Sequence, residues 1–516
     1  MQCSKSSSEG VKRFYKDKNI FITGGSGFVG ICLLEKILRT IPDHGTIYLL
    51  MRKKRGKDIE ERLDEIKKNS VFEGLLKDKS IEEVFSKVKV IAGDVGEENL
   101  GISTSDWQLL TENVQVIFHS AATLDFGDTL DMTVNINLLG TRRVTKLAKE
   151  CRNLSVLVHV SSAYVNSYRT EADEVIYPLP READELIAIV KKLNADELQK
   201  ETPKLLGDHP NTYTITKHMA EHEIQKCQSI FPCTIVRPSM IVGAWKEPMP
   251  GWTISKNGPQ GFMMGAAKGV IRRLPVAKEL IYDYIPVDIV INNLIAAGFY
   301  TGVTKPSKVS IYHATSSTRL PFHWADVEHK FNVYLHNWPL KSAVWYPHMK
   351  FLPSITWYKI SALFVHFFPA IILDTVARLT GGRPILVKLH KNVNKSLGML
   401  SKFIFSEWKF HSNKTDELQK WLNQSDRETF NISLEGLIWC DYFGDLAKGS
   451  RVYLNKEPMK NLSKAKTKDN ILLGVHVLWQ VLLFSLLWFV FASFTGMTMS
   501  SSAFFVPICY ILFNLL

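Results

Sequence analysis

The chain is 516 residues long, carries a formal net charge of +12 and is 46% hydrophobic. That length exceeds one ordinary domain and predicts two to four units, and the balance of charged and apolar residues fits a globular protein with some membrane character. The positive excess calls for anionic partners; no Arg/Lys-rich patch interleaved with aromatic residues resembles a nucleic-acid module, which leaves an anionic membrane or a phosphorylated small molecule.

Seven cysteines are dispersed from Cys3 to Cys509, with no C-x-x-C pair and no His/Cys cluster at zinc spacing. This pattern predicts reduced thiols in the cytosol and no metal site. The first ten residues are polar and lack an apolar run, so no secretory signal is expected. Triplets such as Asn431-Ile432-Ser433 therefore read as chance.

A short apolar run over residues 19–22 predicts a buried strand, and Val29, Ile31, Leu33, Leu34, Ile37 and Leu38 predict a helix over 28–39. Between them lies Thr23-Gly24-Gly25-Ser26-Gly27-Phe28-Val29-Gly30. Strand, glycine turn and helix in that order is the context in which such a motif holds a dinucleotide. Gly24 permits the tight turn, Gly27 lets backbone amides approach a pyrophosphate, and Gly30 lets the helix pack closely on the strand. Thr23 and Phe28 flank this cradle, and the helix N-terminus supplies orphan N–H groups for the phosphates.

A second strand over 46–51 runs into Arg52-Lys53-Lys54-Arg55. An acid near this point would hold a ribose 2′-hydroxyl, whereas an arginine accommodates a 2′-phosphate, so Arg52 favours NADPH; a solvated basic loop is the competing reading. Residues 57–79 predict a long charged surface helix. A third strand over 87–92 closes on Gly93-Asp94-Val95, where a carboxylate can meet the adenine amino group. A fourth over 115–119 ends in Ser120-Ala121-Ala122, small residues that let a coenzyme lie flat on the strand end. Asn137-Leu138-Leu139-Gly140-Thr141 falls early in a predicted helix, and residues 156–160 predict a fifth strand. The alternation implies an α/β fold: a Rossmann-like, doubly wound parallel sheet with its ligand crevice at the strand C-termini.

Chemistry enters at the end of the fifth strand, Ser161-Ser162-Ala163-Tyr164-Val165, and again at Tyr213-Thr214-Ile215-Thr216-Lys217. Tyr and Lys four apart on a helix share one face, and an ammonium beside a phenol lowers the phenol pKa toward a usable acid or base. Alone the pair is common; after a glycine fingerprint and a Ser-Ser strand end it makes a catalytic set of Tyr213, Lys217 and Ser162. Ile235-Val236-Arg237-Pro238 reads as a sixth strand leading to the substrate side, with Pro238 at the coenzyme.

From Phe331 the composition turns aromatic, and residues 360–373 form an apolar run holding His366 and Pro369. A run of that length reads as core, as an acyl-chain-handling element or as a membrane-surface element. Residues 388–446 predict a small helical domain packed through Trp408, Phe410, Trp421, Leu422 and Phe430, with His390 and His411 structural rather than catalytic. Residues 471–494 carry no formal charge and are long enough to cross a bilayer. Lys456, Lys460, Lys464, Lys466 and Lys468 precede them and place the catalytic part on the cytosolic side. A shorter apolar run over 503–516 fits either a hairpin or a re-entrant tail. The expected divisions are 15–330 for a coenzyme-binding catalytic region, 331–382 for an aromatic linker, 383–455 for the helical domain, and 471–494 and 503–516 for membrane segments.

The glycine turn, Gly93-Asp94-Val95, Ser161-Ser162 and Tyr213/Lys217 resemble the extended short-chain dehydrogenase/reductase superfamily. More narrowly, His159-Val160-Ser161-Ser162-Ala163-Tyr164-Val165-Asn166, Arg237-Pro238-Ser239, Pro250-Gly251-Trp252, Asp283-Tyr284-Ile285-Pro286-Val287-Asp288 and the helical region after about residue 355 resemble the alcohol-forming fatty acyl-CoA reductases, with an insect-like cast. Ser162 stands where many relatives have Thr, and either hydroxyl can donate. The resemblance implies NADPH-dependent reduction of a long-chain fatty acyl-CoA to a fatty alcohol in two hydride steps. Coenzyme contacts would come from Thr23, Gly24, Gly27, Phe28, Gly30, Arg52, Asp94, Val95, Ser120, Ala121, Tyr213, Lys217 and Pro238. It also implies a charged helix over 191–202 in the substrate region. A mouth for the CoA part over 243–277 would turn Lys256, Lys268, Arg272 and Arg273 toward phosphates. The membrane would be peroxisomal or endoplasmic-reticular. A sterol dehydrogenase, an aldehyde-releasing reductase and a non-catalytic lipid-binding scaffold are the rival readings.

Overall fold

The computed structural model describes residues 10–54 and 56–515; most of the polar N-terminal stretch, Cys3 and Arg55 lie outside the described residues. By its internal contacts the chain divides into two units. The first takes the chain up to Ile254 together with Ile281–Phe322 and Glu407–Ile438; the second takes Ser255–Leu280, His323–Ser406 and the chain from Trp439 on. The expected 383–455 domain is thus shared out. The reason is a strand pairing: Lys409 and Phe410 pair in parallel with Glu171 and Ala172, and Phe410 and Trp408 set their rings edge-on against Tyr164.

In the first unit, seven parallel strands form one sheet: β1 (Ile20–Thr23), β2 (Ile47–Met51), β3 (Val88–Ala92), β4 (Val116–His119), β5 (Val156–Val160), β6 (Cys233–Pro238) and β7 (Ser310–Ala314). Their spatial order is β7-β6-β5-β4-β1-β2-β3. β1, β2, β4 and β6 are buried along their whole length, as expected when helices cover both faces of a parallel sheet. Helices Phe28–Thr40 and Val287–Thr304 pack together, as do Gly140–Glu150 and Thr212–Gln225. The order reverses between β1 and β4, where Thr23 stands directly beside His119. A crevice at such a reversal is where this architecture takes its ligand.

Six strands match the sequence expectation, and the seventh, Ser310–Ala314, was not anticipated. Its polar Ser310 and His313 mask it: His313 is buried, with Nδ1 on the His411 carbonyl at 2.8 Å and Nε2 3.2 Å from the Arg237 guanidinium. Residues 57–79 are not one helix. Ile59–Lys67 ends there, and Asn69 then caps a short 3-10 turn that buries Val71 and Phe72. The insertion expected as one helix over 191–202 is two, Ala183–Lys192 and Ala195–Leu206, because Asn194 stops the first and forms a capping box with Glu197 on the second.

The second unit is mainly helical: Trp324–Asn337, a continuous stretch Ile355–Leu379, Leu386–Ile404, Trp439–Gly449, the long Leu462–Thr495 and a final Phe505–Leu515. A small parallel pairing joins Arg273–Pro275 to Lys350–Leu352. By length and composition Val287–Thr304, Ile355–Leu379 and Met459–Thr495 could each cross a membrane. Val287–Thr304 is core of the first unit. The Leu462–Thr495 helix is almost wholly bare on its apolar length, which agrees with its reading as a membrane segment.

Candidate active site

The glycine turn is built by crowding. Gly24 has φ +75°, and a Cβ there would lie 2.8 Å from the Ala121 amide nitrogen and from Ser120 Oγ. A Cβ on Gly30 would meet the Gly24 carbonyl oxygen at 2.3 Å. Both positions exclude a side chain, which ties β1, the turn and the first helix into one piece. Around Gly27, by contrast, a Cβ would meet only the Gly24 oxygen, at 3.3 Å. Gly27 caps the Phe28–Thr40 helix without a side-chain partner, so the amides of the first turn remain open toward an anion. These residues fit a dinucleotide pyrophosphate.

Other expected coenzyme residues fall on the same rim. Thr23 Oγ1 lies 2.7 Å from His119 Nδ1 and accepts the Ala121 N–H at 3.2 Å, while Ser120 Oγ donates to the Thr23 carbonyl at 2.8 Å. Arg52 Nη1 and Asp94 Oδ2 form an ion pair at 3.0 Å. Phe28 stacks on the buried Trp252 at 5.9 Å between ring centroids. Val95 is buried in the core, its carbonyl accepting Arg143 Nη1 at 2.9 Å, and Pro238 ends β6 opposite Ala314. The sequence reading missed Arg62. From the Ile59–Lys67 helix it donates to the Arg52 carbonyl and, at 3.0 Å, to Ser26 Oγ in the glycine turn.

Tyr213 and Lys217 sit on the Thr212–Gln225 helix, which Asn211 starts by accepting the Thr214 N–H at 2.9 Å. Both side chains are buried. Ser162, at the end of β5, hydrogen-bonds the Tyr213 phenol and accepts the Tyr164 N–H at 3.2 Å. Lys217 Nζ donates to the Val160 carbonyl at 2.6 Å and lies 3.3 Å from His159 Nε2. The three expected catalytic residues therefore converge at the C-terminal end of β5.

One expectation is corrected. Burial raises the Tyr213 phenol to about 12, against a smaller lowering by Ser162, and Lys217 is not among the groups that shift it. The phenol is thus protonated throughout the neutral range and is set up to donate, not to accept. Burial instead acts on Lys217, lowering its ammonium to about 8. His159 is held well below its ordinary value by burial and by the Lys217 charge, and His119 falls to about 3 for the same causes.

Beneath this set lies a buried ion pair that sequence reasoning passed over. Glu221, four residues beyond Lys217 and eight beyond Tyr213, accepts Arg237 Nε at 2.8 Å and Nη2 at 2.6 Å, with Ser161 Oγ donating at 2.5 Å. Both partners are fully shielded from water. Burial works to raise the Glu221 carboxyl, yet Arg237 and Ser161 hold it below its ordinary value. Arg237 also donates to the Val175 carbonyl at 2.9 Å and the Asp173 carbonyl at 3.2 Å. The signal was available in the spacing, since residues 213, 217 and 221 share one helix face.

The geometry of a coenzyme turn beside a Ser-Tyr-Lys set has clear counterparts. A family model described as a male sterility protein, NAD-binding, matches residues 22–294, and a second, also described as a male sterility protein, matches 365–457. The chain is 52% identical over 515 residues to the Drosophila melanogaster protein called "Putative fatty acyl-CoA reductase CG8306", covering 99% of this chain and 100% of that one. It is 33% identical to fatty acyl-CoA reductase 1 of Rattus norvegicus and 35% identical to fatty acyl-CoA reductase 2 of Mus musculus, over 97% of each chain. The chain belongs to the fatty acyl-CoA reductase family. That family carries out NAD(P)H-dependent reduction of fatty acyl-CoA to alcohol, and membership makes this chain an oxidoreductase with a nicotinamide coenzyme. The fold recurs in the reductase domain of a nonribosomal peptide synthetase from Mycobacterium tuberculosis (TM-score 0.56, 16% identity, 86% of this chain and 92% of that one). It recurs also in the terminal R domain of the myxalamid pathway (TM-score 0.55, 18% identity, 86% and 91%).

Proposed function

We propose that the protein reduces long-chain fatty acyl-CoA to fatty alcohol with NADPH, releasing CoA, with Tyr213, Lys217 and Ser162 as its catalytic residues. The observation that carries this reading is the meeting of a protonated, buried phenol, a hydroxyl and an ammonium at the strand end beside the glycine turn. Each coenzyme, when bound, would supply one hydride, so two are consumed in succession per alcohol. The chain's own residues do the rest. Ser162 and Tyr213 hydrogen-bond the substrate carbonyl oxygen, stabilising charge as it develops there. In the first reduction the oxygen collapses back to a carbonyl as the thiolate of CoA leaves, giving an aldehyde. In the second, Tyr213 gives its proton to the oxygen and the alcohol results. The Lys217 ammonium, on the same helix face as Tyr213, holds the ribose.

NADPH is preferred over NADH because Arg52 stands at the end of β2, Arg62 reaches its carbonyl from the Ile59–Lys67 helix, and no acid lies between Met51 and Lys54. The membrane segment is residues 471–494, and the preceding lysines set the catalytic unit on the cytosolic side of a peroxisomal or endoplasmic-reticulum membrane.

The test is product analysis of membranes bearing the full chain, fed a ladder of acyl-CoAs with NADPH or NADH. Alcohol from long chains, with NADPH the better donor, is expected. Tyr213→Phe should lower kcat/KM by roughly a thousandfold or more while coenzyme affinity stays within about threefold. Near-normal turnover by that variant would remove the assignment.

A further inference from the structure

On the Leu462–Thr495 helix only Ala465, His476, Phe484 and Ala492 are buried, while Ile471, Val477, Leu478, Val481 and Leu482 are each about half exposed or more. Residues 471–494 rise about 36 Å, enough to cross the apolar thickness of a bilayer. Trp345 Nε1 donates to His476 Nδ1 at 3.3 Å, and Tyr346 stacks on both His476 and His336. Trp, Tyr and cationic groups gathered at the end of an apolar helix mark the level of lipid headgroups.

The Ile355–Leu379 helix carries a second sign, because it leaves a broad apolar face bare. Ser361, His366 and Asp374 face inward, while Leu363, Phe364, Phe368, Ile371 and Leu379 are each more than 50% exposed. An apolar face of that extent is stable against lipid, not water. Asp374 accepts the Leu386 and Val387 amides, and His366 Nε2 accepts the backbone N–H groups of Arg272 and Arg273 at 3.0 and 3.2 Å, with its buried Nδ1 left without a partner among the described residues. His366 is thus the neutral tautomer, stacked on His390 at 4.8 Å.

This fixes Arg272 and Arg273 beside both lipid-facing elements. Arg273 is buried, and its Nη1 donates to the Arg272 carbonyl at 3.0 Å. Arg272 has a buried Nε with no acceptor and, among the described residues, no carboxylate within ion-pair distance. The groups that feel its charge are basic: Arg273, His348, His366 and His476. Lys350 donates its N–H to the Arg272 carbonyl. Asp469 is taken by His336 at 2.8 Å. Arg272 is partly buried, and a guanidinium partly withdrawn from water without a counter-charge has a phosphate, which accepts its forked donors in pairs, as its natural complement.

We infer that Arg272 is a binding site for the phosphate of an anionic phospholipid, held at the level where the Leu462–Thr495 helix enters the membrane, with the exposed face of Ile355–Leu379 lying in the same lipid. The inference does not depend on which acyl-CoA the enzyme reduces. Its occupant is a lipid headgroup and not CoA because the site sits at headgroup depth, where phosphodiesters are present at high local concentration.

The full chain, purified in a neutral detergent, would be titrated with short-chain phosphatidic acid, with phosphatidylcholine, and with CoA, following Tm and bound lipid by native mass spectrometry. Phosphatidic acid should raise Tm and stay bound to wild type, with affinity falling about tenfold or more in Arg272→Leu and by less in Arg272→Lys, which keeps the charge but not the fork. A Lys460→Gln variant, altered only in the exposed basic run, should behave as wild type. Equal lipid binding by wild type and both Arg272 variants would overturn the site. An Arg272-dependent response to CoA with none to phosphatidic acid would overturn the lipid assignment.

Discussion

Arg237 is fully buried and Arg272 partly so, in two parts of the molecule, and their surroundings could hardly differ more. Arg237 meets a carboxylate in two hydrogen bonds and two backbone carbonyls besides. Arg272 has a buried Nε with nothing to donate to. The first arrangement is closed: every charge is answered inside the fold, which suits a scaffold that must hold Tyr213 and Lys217 in place. The second is open, and an open charge is a demand for something the chain does not contain. Burial alone therefore says little about what an arginine is for; the completeness of its partners decides between framework and ligand site.

The sharpest way to break this contrast is to remove one half of the closed pair. Glu221→Ala leaves Arg237 buried without its carboxylate, and a loss of about 3–5 kcal/mol is expected, a Tm drop of roughly 6–10 °C by calorimetry. The double variant Glu221→Leu/Arg237→Leu should regain part of that stability, since two apolar side chains replace a compensated pair. If Glu221→Ala melts with wild type, the pair is not the closed unit described.

A smaller effect tests what the pair supports. Lys217 is lowered to about 8 from an ordinary 10.5 by burial, with Glu221 raising it in part. Its depressed folded-state value means that the unfolded chain holds the extra proton between about pH 8 and 10.5, so stability rises with pH across that window and the cost of burying the ammonium is full below it. Activity moves the other way. As pH passes about 8 the ammonium is lost, and kcat/KM should fall along an alkaline limb near that value. Lys217→Arg should move the limb above pH 9 or so, whatever its effect on the maximal rate. Tyr213, at about 12, contributes no limb in this range.

The smallest effect is expected at the open site. Arg272→Leu removes an uncompensated charge, so in neutral detergent its unfolding should stay within about 1 kcal/mol of wild type, or improve. A loss as large as that of Glu221→Ala would show that Arg272 belongs to the framework after all.

How much of this was legible beforehand follows from the range of the interactions involved. The strand–turn–helix motif, the six strands and the placement of Tyr213 and Lys217 on one helix face are local consequences of periodicity and glycine spacing, and the linear chain determined them. It did not reveal β7, whose Ser310 and His313 interrupt the apolar pattern and become acceptable only because Arg237 and the His411 carbonyl meet His313 in space. Nor did it reveal that Glu407–Ile438 returns to the first unit. Residues that read as the packing of a separate helical domain, Trp408 and Phe410, close instead on Tyr164.

Three helices make the division plain. Val287–Thr304, Ile355–Leu379 and Met459–Thr495 are all long and apolar enough to span a bilayer. Composition alone cannot separate them, because an apolar side chain satisfies a protein core and a lipid tail equally well. Tertiary packing separates them. Val287–Thr304 is buried in the first unit, Ile355–Leu379 leaves Leu363, Phe364, Phe368 and Ile371 bare while burying Ser361, His366 and Asp374, and Leu462–Thr495 is bare along most of its length. The chain sets what each segment can tolerate; which solvent it meets is chosen by neighbours far away in sequence.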